Sequence, residues 1–277
     1  MAHDTMELVV PTSLGEALQR LRHRDDIRVV AGGTWFMREE AAMTAGSEQP
    51  ATILALHELR EMKRVVRTGN HVEIGAGLPG GRLIADRAGR VLPRMLIHAI
   101  RGLGPPPVRN LATLGGGLAI PDTILPLGAI LQLIDASVEL RRQGNSRWVK
   151  LGAMNRQPDE LITRIRLPNR NWTHWINHTW GTPFPAGMPS LTVVGAASLD
   201  KTGIDEFRFA MIIDGQLLVR LRQSETDLVG RSVPLTERDR RAIIAGLEEH
   251  PAFGRELDDL GRWRASNGLR RFLMQLE

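Results

Sequence analysis

Apolar and polar positions alternate with two different periods over the first part of the chain. Short apolar runs at residues 8–10, 27–31 and 52–56 predict strands, and the second run is apolar enough to predict a central strand. Between the first two runs, Ser13 and Glu16 have the spacing of a capping box, followed by leucines on one helical face. This pattern predicts a helix over 14–22. The pattern over the first 57 residues therefore predicts a small α/β unit.

The middle of the chain predicts two hairpins, two helices and a closing strand. The hairpins pair residues 64–67 with 71–74 and residues 137–142 with 147–151, each across a turn that contains glycine. Apolar periodicity predicts helices over 80–103 and 124–134. Alternation over 161–167 predicts a half-buried strand that Pro168 ends.

The last hundred residues have a different character. Residues 171–190 are rich in Trp, His, Pro and Gly and predict a long loop, which we interpret as a partner interface or a cover for a ligand. Strands are predicted at 191–199 and 207–213, and helices at 237–247 and 265–276. We therefore expect a separate α+β domain over 169–277.

Composition excludes several kinds of site. The chain has 277 residues, of which 42% are hydrophobic and 24% charged, as in a globular protein. It has no cysteine, which excludes disulfides, thiolate metal ligands and any iron–sulfur cluster held by this chain. The start lacks the pattern of a signal peptide, and the longest apolar run is too short to span a bilayer. We expect a cytoplasmic protein without a membrane span.

The net charge of +5 is spread along the chain and not gathered in one block. A nucleic-acid-binding protein usually concentrates its positive charge on one face or tail, so we expect no nucleic-acid partner. A non-enzymatic scaffold or basic binding module is kept as an alternative because the overall charge is positive. No acid–base dyad, nucleophile or metal-ligand cluster emerges, so we predict no catalytic residue and no metal site.

Two glycine clusters carry the candidate chemistry. The first is Gly32-Gly33-Thr34, directly after a predicted strand, and the second is Thr113-Leu114-Gly115-Gly116-Gly117. Glycine lets backbone N–H groups turn toward an anion without a side chain in the way. Two such loops, about 80 residues apart in sequence, would suit a diphosphate lying between two subdomains. Ordinary tight turns are the alternative for each loop taken singly.

The order of motifs resembles one family. The motifs are Ala31-Gly32-Gly33-Thr34, Val72-Glu73-Ile74-Gly75-Ala76, Val108-Arg109-Asn110-x-Ala112-Thr113-Leu114-Gly115-Gly116 and Asp159-Glu160-Leu161-Ile162-x-x-Ile165-x-Leu167-Pro168. Together they resemble the FAD-binding medium subunit of the molybdenum hydroxylases, the group of carbon monoxide dehydrogenase and xanthine dehydrogenase. The resemblance covers residues 6–168 well and the rest more loosely.

The resemblance implies a fold and a set of cofactor contacts. The fold is α+β: a two-subdomain FAD-binding fold of the PCMH or vanillyl-alcohol-oxidase type over 1–168, divided near residue 57, then the small C-terminal α+β domain over 169–277. By position in the motifs, FAD would contact the following residues: Ala31, Gly32, Gly33, Thr34, Trp35, Thr113, Leu114, Gly115, Gly116, Gly117, Asp122 and Leu161.

The resemblance also implies partners. Electrons would come from two [2Fe–2S] clusters in a small iron–sulfur subunit, supplied in turn by a large subunit with the molybdopterin cofactor, and FAD would pass them to an external acceptor. Members of the family commonly form dimers of heterotrimers. A self-contained flavin reductase of the same broad fold is the alternative enzyme, which is less favoured because the chain has no tyrosine and no evident proton donor.

Overall fold

The computed structural model describes residues 6–22, 26–42, 52–85, 90–181 and 190–276. The chain divides into two compact units. The first comprises Met1–Leu92, Ile100–Ile120 and Asp135–Asn169. The second comprises Pro93–Ala99, Pro121–Ile134 and Arg170–Glu277. The chain therefore passes from the first unit to the second for the last time between Asn169 and Arg170. Two earlier segments, 93–99 and 121–134, also belong to the second unit. The functional domain boundaries stay predictions.

A parallel sheet and two helices, α1 (Leu14–Leu21) and α2 (Thr34–Ala42), form the start of the first unit. The strands are β1 (Glu7–Val9), β2 (Ile27–Val30) and β3 (Thr52–Ala55), in the order β1-β3-β2. The helix α1 (Leu14–Leu21) begins as predicted, because the Ser13 hydroxyl accepts a hydrogen bond from the Glu16 N–H at 3.2 Å. The prediction that the second strand is central was wrong. An apolar run indicates burial but not position in a sheet, and β3 is the central, fully buried strand.

The second sheet of this unit is antiparallel. It contains β4 (Val65–Arg67), β5 (His71–Gly75), β6 (Ser137–Arg142), β7 (Asn145–Lys150) and β8 (Leu161–Pro168), in the order β4-β5-β8-β6-β7. Both predicted hairpins and the strand that follows them are confirmed. Gly144, in the turn between β6 and β7, has φ +75°, a value that glycine adopts without strain.

The helices of the middle region are shorter than predicted. In place of one helix over 80–103, the structure has α3 (Gly80–Ala85) and α4 (Arg94–Arg101), and residues 86–89 lie outside the described residues. Pro93 directly precedes α4, where a proline starts a helix more readily than it continues one. The short helices α5 (Pro106–Arg109) and α6 (Leu114–Leu118) were not predicted. The helix α7 (Pro126–Leu133) corresponds to the helix predicted over 124–134.

The sheet of the second unit is antiparallel and has the order β12-β11-β10-β9. Its strands are β9 (His174–Gly181), β10 (Ser190–Leu199), β11 (Ile204–Ile213) and β12 (Leu217–Arg220). The predicted loop over 171–190 was therefore wrong at 174–181, and residues 182–189 lie outside the described residues. Ile176 is buried and Trp180 packs against the same core, so alternate side chains of β9 face inward and the strand pairs with β10.

Helices cover this sheet and complete its core. They are α8 (Arg222–Leu228), α9 (Glu237–Glu248), α10 (Pro251–Glu256) and α11 (Asp259–Leu273). The helix α11 begins earlier than predicted because the Asp258 carboxylate caps it, accepting a hydrogen bond from the Gly261 N–H at 2.7 Å. Phe272 stacks on Phe207 at the centre of the core, with ring centroids 5.4 Å apart. Gly195 of β10 leaves room for the Phe272 ring, since an added Cβ would lie 2.6 Å from it.

Replacing Phe272 should therefore destabilise the second unit strongly. We expect Phe272→Ala to lower the free energy of unfolding by about 3–5 kcal/mol, since the large buried ring leaves a cavity. Met274→Ala, an exposed position two residues further along, is the control and should change it by less than about 0.5 kcal/mol. Denaturant melts would measure both. Equal effects would contradict this assignment of the core.

Candidate cofactor site in the first unit

The first glycine loop links β2 to a helix. Ala31 and Gly32 follow β2, and α2 (Thr34–Ala42) begins directly after Gly33. Gly33 has φ +71°, so a side chain there would strain the backbone. The Met37 N–H donates to the Gly33 carbonyl at 2.9 Å, which closes the first helical turn. The N–H groups of that first turn have no partner within the helix, as at any helix start, and can donate to an anion.

Trp35 is oriented by its own helix. Its indole Nε1 donates to the Glu39 carboxylate at 2.7 Å, one turn further along α2. Glu39 also forms an ion pair with Arg28 of β2, and the Arg38 guanidinium lies 5.6 Å from the Trp35 ring centroid. The indole is half buried and lies beside the glycine loop. An acidic and a basic residue of α2 thus fix the position of the aromatic group next to this loop.

The second glycine loop is a short capped helix. The buried Thr113 hydroxyl accepts from the Gly116 N–H at 3.0 Å, and the Thr113 carbonyl accepts from the Gly117 N–H at 3.0 Å. A hydroxyl that accepts a bond can still donate its own hydrogen. Leu114 is fully buried, so it presents only its backbone to a ligand.

The first glycine loop touches the backbone directly before the second. A Cβ added to Gly32 would lie 1.9 Å from the carbonyl oxygen of Leu111 and 3.2 Å from the Cα of Ala112. Only a glycine allows this approach, which sets the first loop against the backbone directly before Thr113. Two segments that are far apart in sequence therefore lie side by side.

The second loop is also fixed to the antiparallel sheet. The Gly115 N–H donates to the Ala76 carbonyl at 2.9 Å, and the Ala76 N–H donates to the Thr163 carbonyl of β8 at 3.0 Å. A Cβ on Gly115 would lie 2.6 Å from the Cβ of Ala76. Leu161 is the first residue of β8, the strand against which α6 packs. Sequence reasoning missed Ala76 and Thr163 as the link, although Ala76 closes one of the motifs.

The predicted cofactor residues divide unequally between the units. Eleven of the twelve belong to the first unit, and Asp122 belongs to the second. Asp122 is exposed and has φ +48°, an uncommon conformation that aspartate tolerates better than most residues. Its predicted contact with the cofactor stays a prediction, as do the individual contacts of the other eleven residues.

Comparison with known families now identifies this kind of domain. Residues 4–170 match the family model described as the FAD binding domain in molybdopterin dehydrogenase. The chain belongs to this family. The resemblance drawn from the motifs is thereby confirmed, and the chain carries an FAD-binding domain.

Relatives support the assignment, and a solved structure shows the same fold. The chain is 28% identical to the glyceraldehyde dehydrogenase medium chain of Sulfolobus acidocaldarius over 163 residues, which are 56% of this chain and 57% of that one. It is 23% identical to the xanthine dehydrogenase FAD-binding subunit of Escherichia coli O157:H7, covering 95% and 90% of the two chains. A crystal structure of quinoline 2-oxidoreductase from Pseudomonas putida 86 matches with a TM-score of 0.79 at 17% identity, over 98% of this chain and 96% of that one. The predicted α+β fold is confirmed.

Within the part of the chain that the structure describes, a metal-binding cluster and a membrane-spanning helix are both absent. No three His, Cys, Asp or Glu side chains gather where they could hold a metal ion. No helix among these residues is long and apolar enough to cross a membrane.

A network of ion pairs lies on one face of the antiparallel sheet of this FAD-binding domain. Arg164 of β8 donates to Glu139 at 2.6 and 2.7 Å and to Glu73 at 2.7 Å, and Arg166 donates to Glu73 at 2.6 Å. The Arg166 guanidinium lies 3.8 Å from the ring centroid of Trp148. Sequence reasoning missed this network, although the alternation of Arg164 and Arg166 with apolar residues in one strand was a signal for it.

The network keeps its carboxylates ionised. Burial of Glu139 by itself raises the pKa of its carboxyl, but hydrogen bonds from Arg164 and Thr163 outweigh burial, and the net pKa is lowered. The pKa of Glu73 is lowered in the same way, because the bond from Arg166 and the charge of Arg164 outweigh its burial. Neither group is suited to donate a proton near neutral pH.

We expect Glu139 to make stability depend on pH. Because its folded pKa lies below the ordinary 4.5, the unfolded chain binds the proton more readily. Its stabilisation is therefore fully present above pH 4.5 and is lost as the pH falls through the folded pKa. Glu139→Gln should lower the free energy of unfolding at pH 7 by about 1–3 kcal/mol. That difference from the natural chain should shrink toward pH 3.

Urea melts at several pH values would measure this difference. Glu256→Gln, at an exposed position, serves as the control and should match the natural chain throughout. A deficit of Glu139→Gln that stays constant from pH 7 to pH 3 would contradict the assignment.

Proposed function

We propose that this chain is the FAD-binding, electron-transfer subunit of a multi-subunit molybdenum hydroxylase. The observation that carries the proposal is the close approach of Gly32 to the backbone of Leu111 and Ala112, which brings the first glycine loop beside the start of the second. Membership of the FAD-binding family supports FAD as the ligand of these loops. The relatives named as medium chains and FAD-binding subunits support a place in a larger enzyme.

The backbone of the two loops would hold the diphosphate. In the second loop the N–H groups of Gly115, Gly116 and Gly117 already donate to protein oxygens, so the phosphate oxygens would be bound by the first-turn N–H groups of α2 and by the Leu114 N–H. The Thr113 hydroxyl keeps its hydrogen for a further bond while its oxygen caps α6. Ala76 and Thr163 hold the second loop in position through backbone bonds.

Three further residues extend the proposed site beyond the diphosphate. Trp35, fixed by Glu39, shields the cofactor from water beside the first loop. The backbone at Leu161 contacts the cofactor at the start of β8, and Asp122 contacts its flavin side.

Bound FAD would supply the redox chemistry, accepting electrons and passing them on. The protein then needs no nucleophile and no acid–base pair of its own. Its residues bind, orient and shield the cofactor, and the ionised carboxylates at Glu73 and Glu139 stay in their ion pairs.

The missing cysteines determine what the partners must contribute. This chain cannot hold an iron–sulfur cluster with thiolates, so the [2Fe–2S] clusters that supply the electrons belong to a small subunit. A large subunit with the molybdopterin cofactor oxidises the substrate, and an external acceptor takes the electrons from FAD. The complex is a dimer of heterotrimers in the cytoplasm.

The first test is the visible spectrum of the purified chain, with the released cofactor identified by mass. We expect a flavin spectrum and about one equivalent of FAD per chain. Co-expression with the chains encoded beside it should yield a complex that also contains iron, sulfide and molybdenum. A chain that stays colourless after addition of FAD would contradict the proposal and favour the scaffold. Rapid reduction of the isolated flavoprotein by NAD(P)H and turnover without partners would favour the self-contained reductase.

Thr113 provides a matched pair of variants. Thr113→Ala removes the hydroxyl and should weaken FAD binding about tenfold, with a loss of about 1 kcal/mol of stability from the missing cap. Thr113→Ser keeps the hydroxyl and should bind FAD within about threefold of the natural chain. Flavin fluorescence titration measures affinity, and thermal melts measure the cap. Equal affinities of the alanine and serine variants would show that the hydroxyl has no role in binding FAD.

A further inference from the structure

A cleft lies between the hairpin of β6 and β7 and the loop that leads into β8, wholly within the first unit. Its volume of about 270 Å³ is at the small end of the range for ligand pockets, so it suits a small molecule. The lining residues are Leu140, Arg142, Asn145, Ser146, Arg147, Asn155, Gln157 and Glu160. The proposed cofactor site uses none of them.

The ion pair of Arg147 and Glu160 fixes the walls of the cleft. The guanidinium donates to both carboxylate oxygens of Glu160, at 2.7 and 2.8 Å, and to the Asn155 carbonyl at 2.6 Å. The Gln157 N–H donates to the same carboxylate at 2.9 Å, and the Arg156 guanidinium donates to the Glu160 carbonyl at 3.0 Å. The bonds from Arg147 tie the loop to β7 and the other two brace the loop itself, so the cleft is formed before a ligand arrives.

Arg142 adds a positive charge that the cleft does not balance. Glu160 is only 3% exposed but stays ionised, because the hydrogen bond from Arg147 lowers the pKa of its carboxyl by more than burial raises it. One carboxylate therefore faces two guanidiniums. Among the described residues Arg142 has no hydrogen bond and no close ion pair, although its charge acts on Glu160. A ligand with one negative charge would bring the cleft to neutrality.

Neutral polar side chains supply further hydrogen-bonding groups to the cleft. Three amides and one hydroxyl of the lining make no hydrogen bond to any residue that the structure describes. They belong to Asn145, Asn155, Gln157 and Ser146. Amide and hydroxyl groups can both donate and accept, and the buried Leu140 closes the cleft toward the core. A small polar molecule can therefore be bonded on several sides at once.

We propose that this cleft binds a small organic acid, with the ligand carboxylate on Arg142 and its other polar groups on the neutral side chains of the lining. A guanidinium and a carboxylate fit each other in a bidentate geometry, which gives strong and directional hydrogen bonds. A single negative charge is favoured over a dianion such as phosphate, because the nearby carboxylate of Glu160 repels a second charge. The volume excludes a large ligand.

Titration of the purified full chain with lactate, followed by ligand-observed NMR, tests the proposal. Lactate has one carboxylate and one hydroxyl, and we expect it to bind with a dissociation constant of about 1 mM. Lactamide has a similar shape without the charge and should bind at least about tenfold more weakly. Inorganic phosphate should also bind more weakly than lactate, because of its second charge. Equal binding of lactate and lactamide would overturn the proposal.

Three variants test the position of the ligand. Arg142→Gln should weaken lactate binding at least about tenfold. Arg271→Gln is the matched control, at an exposed arginine of α11 that also has no partner among the described residues, and should stay within about twofold. Asn155→Trp keeps Arg142 but fills the cleft with an indole from an exposed position, and should also weaken binding at least about tenfold. Thermal melts verify that each variant is folded, and lactate binding by Arg142→Gln or Asn155→Trp as tight as that of the natural chain would show that the assignment is wrong.

A carboxylate from a partner chain would give a different result. If the purified chain does not bind lactate, and Arg142→Gln releases another chain from the co-expressed complex, an acidic side chain of that partner occupies the cleft and the proposed small-molecule site is wrong. None of these titrations depends on bound FAD, so the test is independent of the proposed function.

Discussion

The candidate site depends on one close approach between two backbones. Gly32 meets the Leu111 carbonyl at a distance that excludes any side chain, and this contact joins the end of a parallel strand to a loop about 80 residues later. The second loop is tied through Ala76 to Thr163, which anchors it to the antiparallel sheet. A parallel and an antiparallel sheet thus become neighbours through hydrogen bonds and glycine contacts. The N–H groups left over at these loops are the ones that the proposed anion-binding surface would use.

The sequence predicted the parts of the structure that depend on local interactions. Ser13 caps α1 as its spacing with Glu16 indicated, and Gly144 turns the hairpin between β6 and β7. Both glycine clusters were also visible as motifs. The contact at Gly32 was not visible, because sequence shows that Gly32 can accept a close neighbour but not that the neighbour is Leu111.

The predictions that failed concern features that depend on tertiary contacts, because such contacts override local signals. Residues 174–181 looked like a loop since Pro and Gly follow them, yet Ile176 and Trp180 find a core on one side and β10 supplies the hydrogen bonds. The central position of β3 was missed because apolar content does not determine strand order. The ion pairs of Glu73 and Glu139 were missed because their partners come from other strands.

Charge pairing and cofactor binding are separated within the first unit. The carboxylates of β5 and β6 are neutralised by arginines of β8, so that a sheet rich in charge adds little net field. The proposed ligand surface instead uses backbone dipoles and hydroxyls, which attract a diphosphate without carrying a titratable charge. A site of this kind holds its ligand equally well over a broad pH range. For the proposed electron-transfer subunit, which would perform no acid–base chemistry, that insensitivity to protonation would be the useful property.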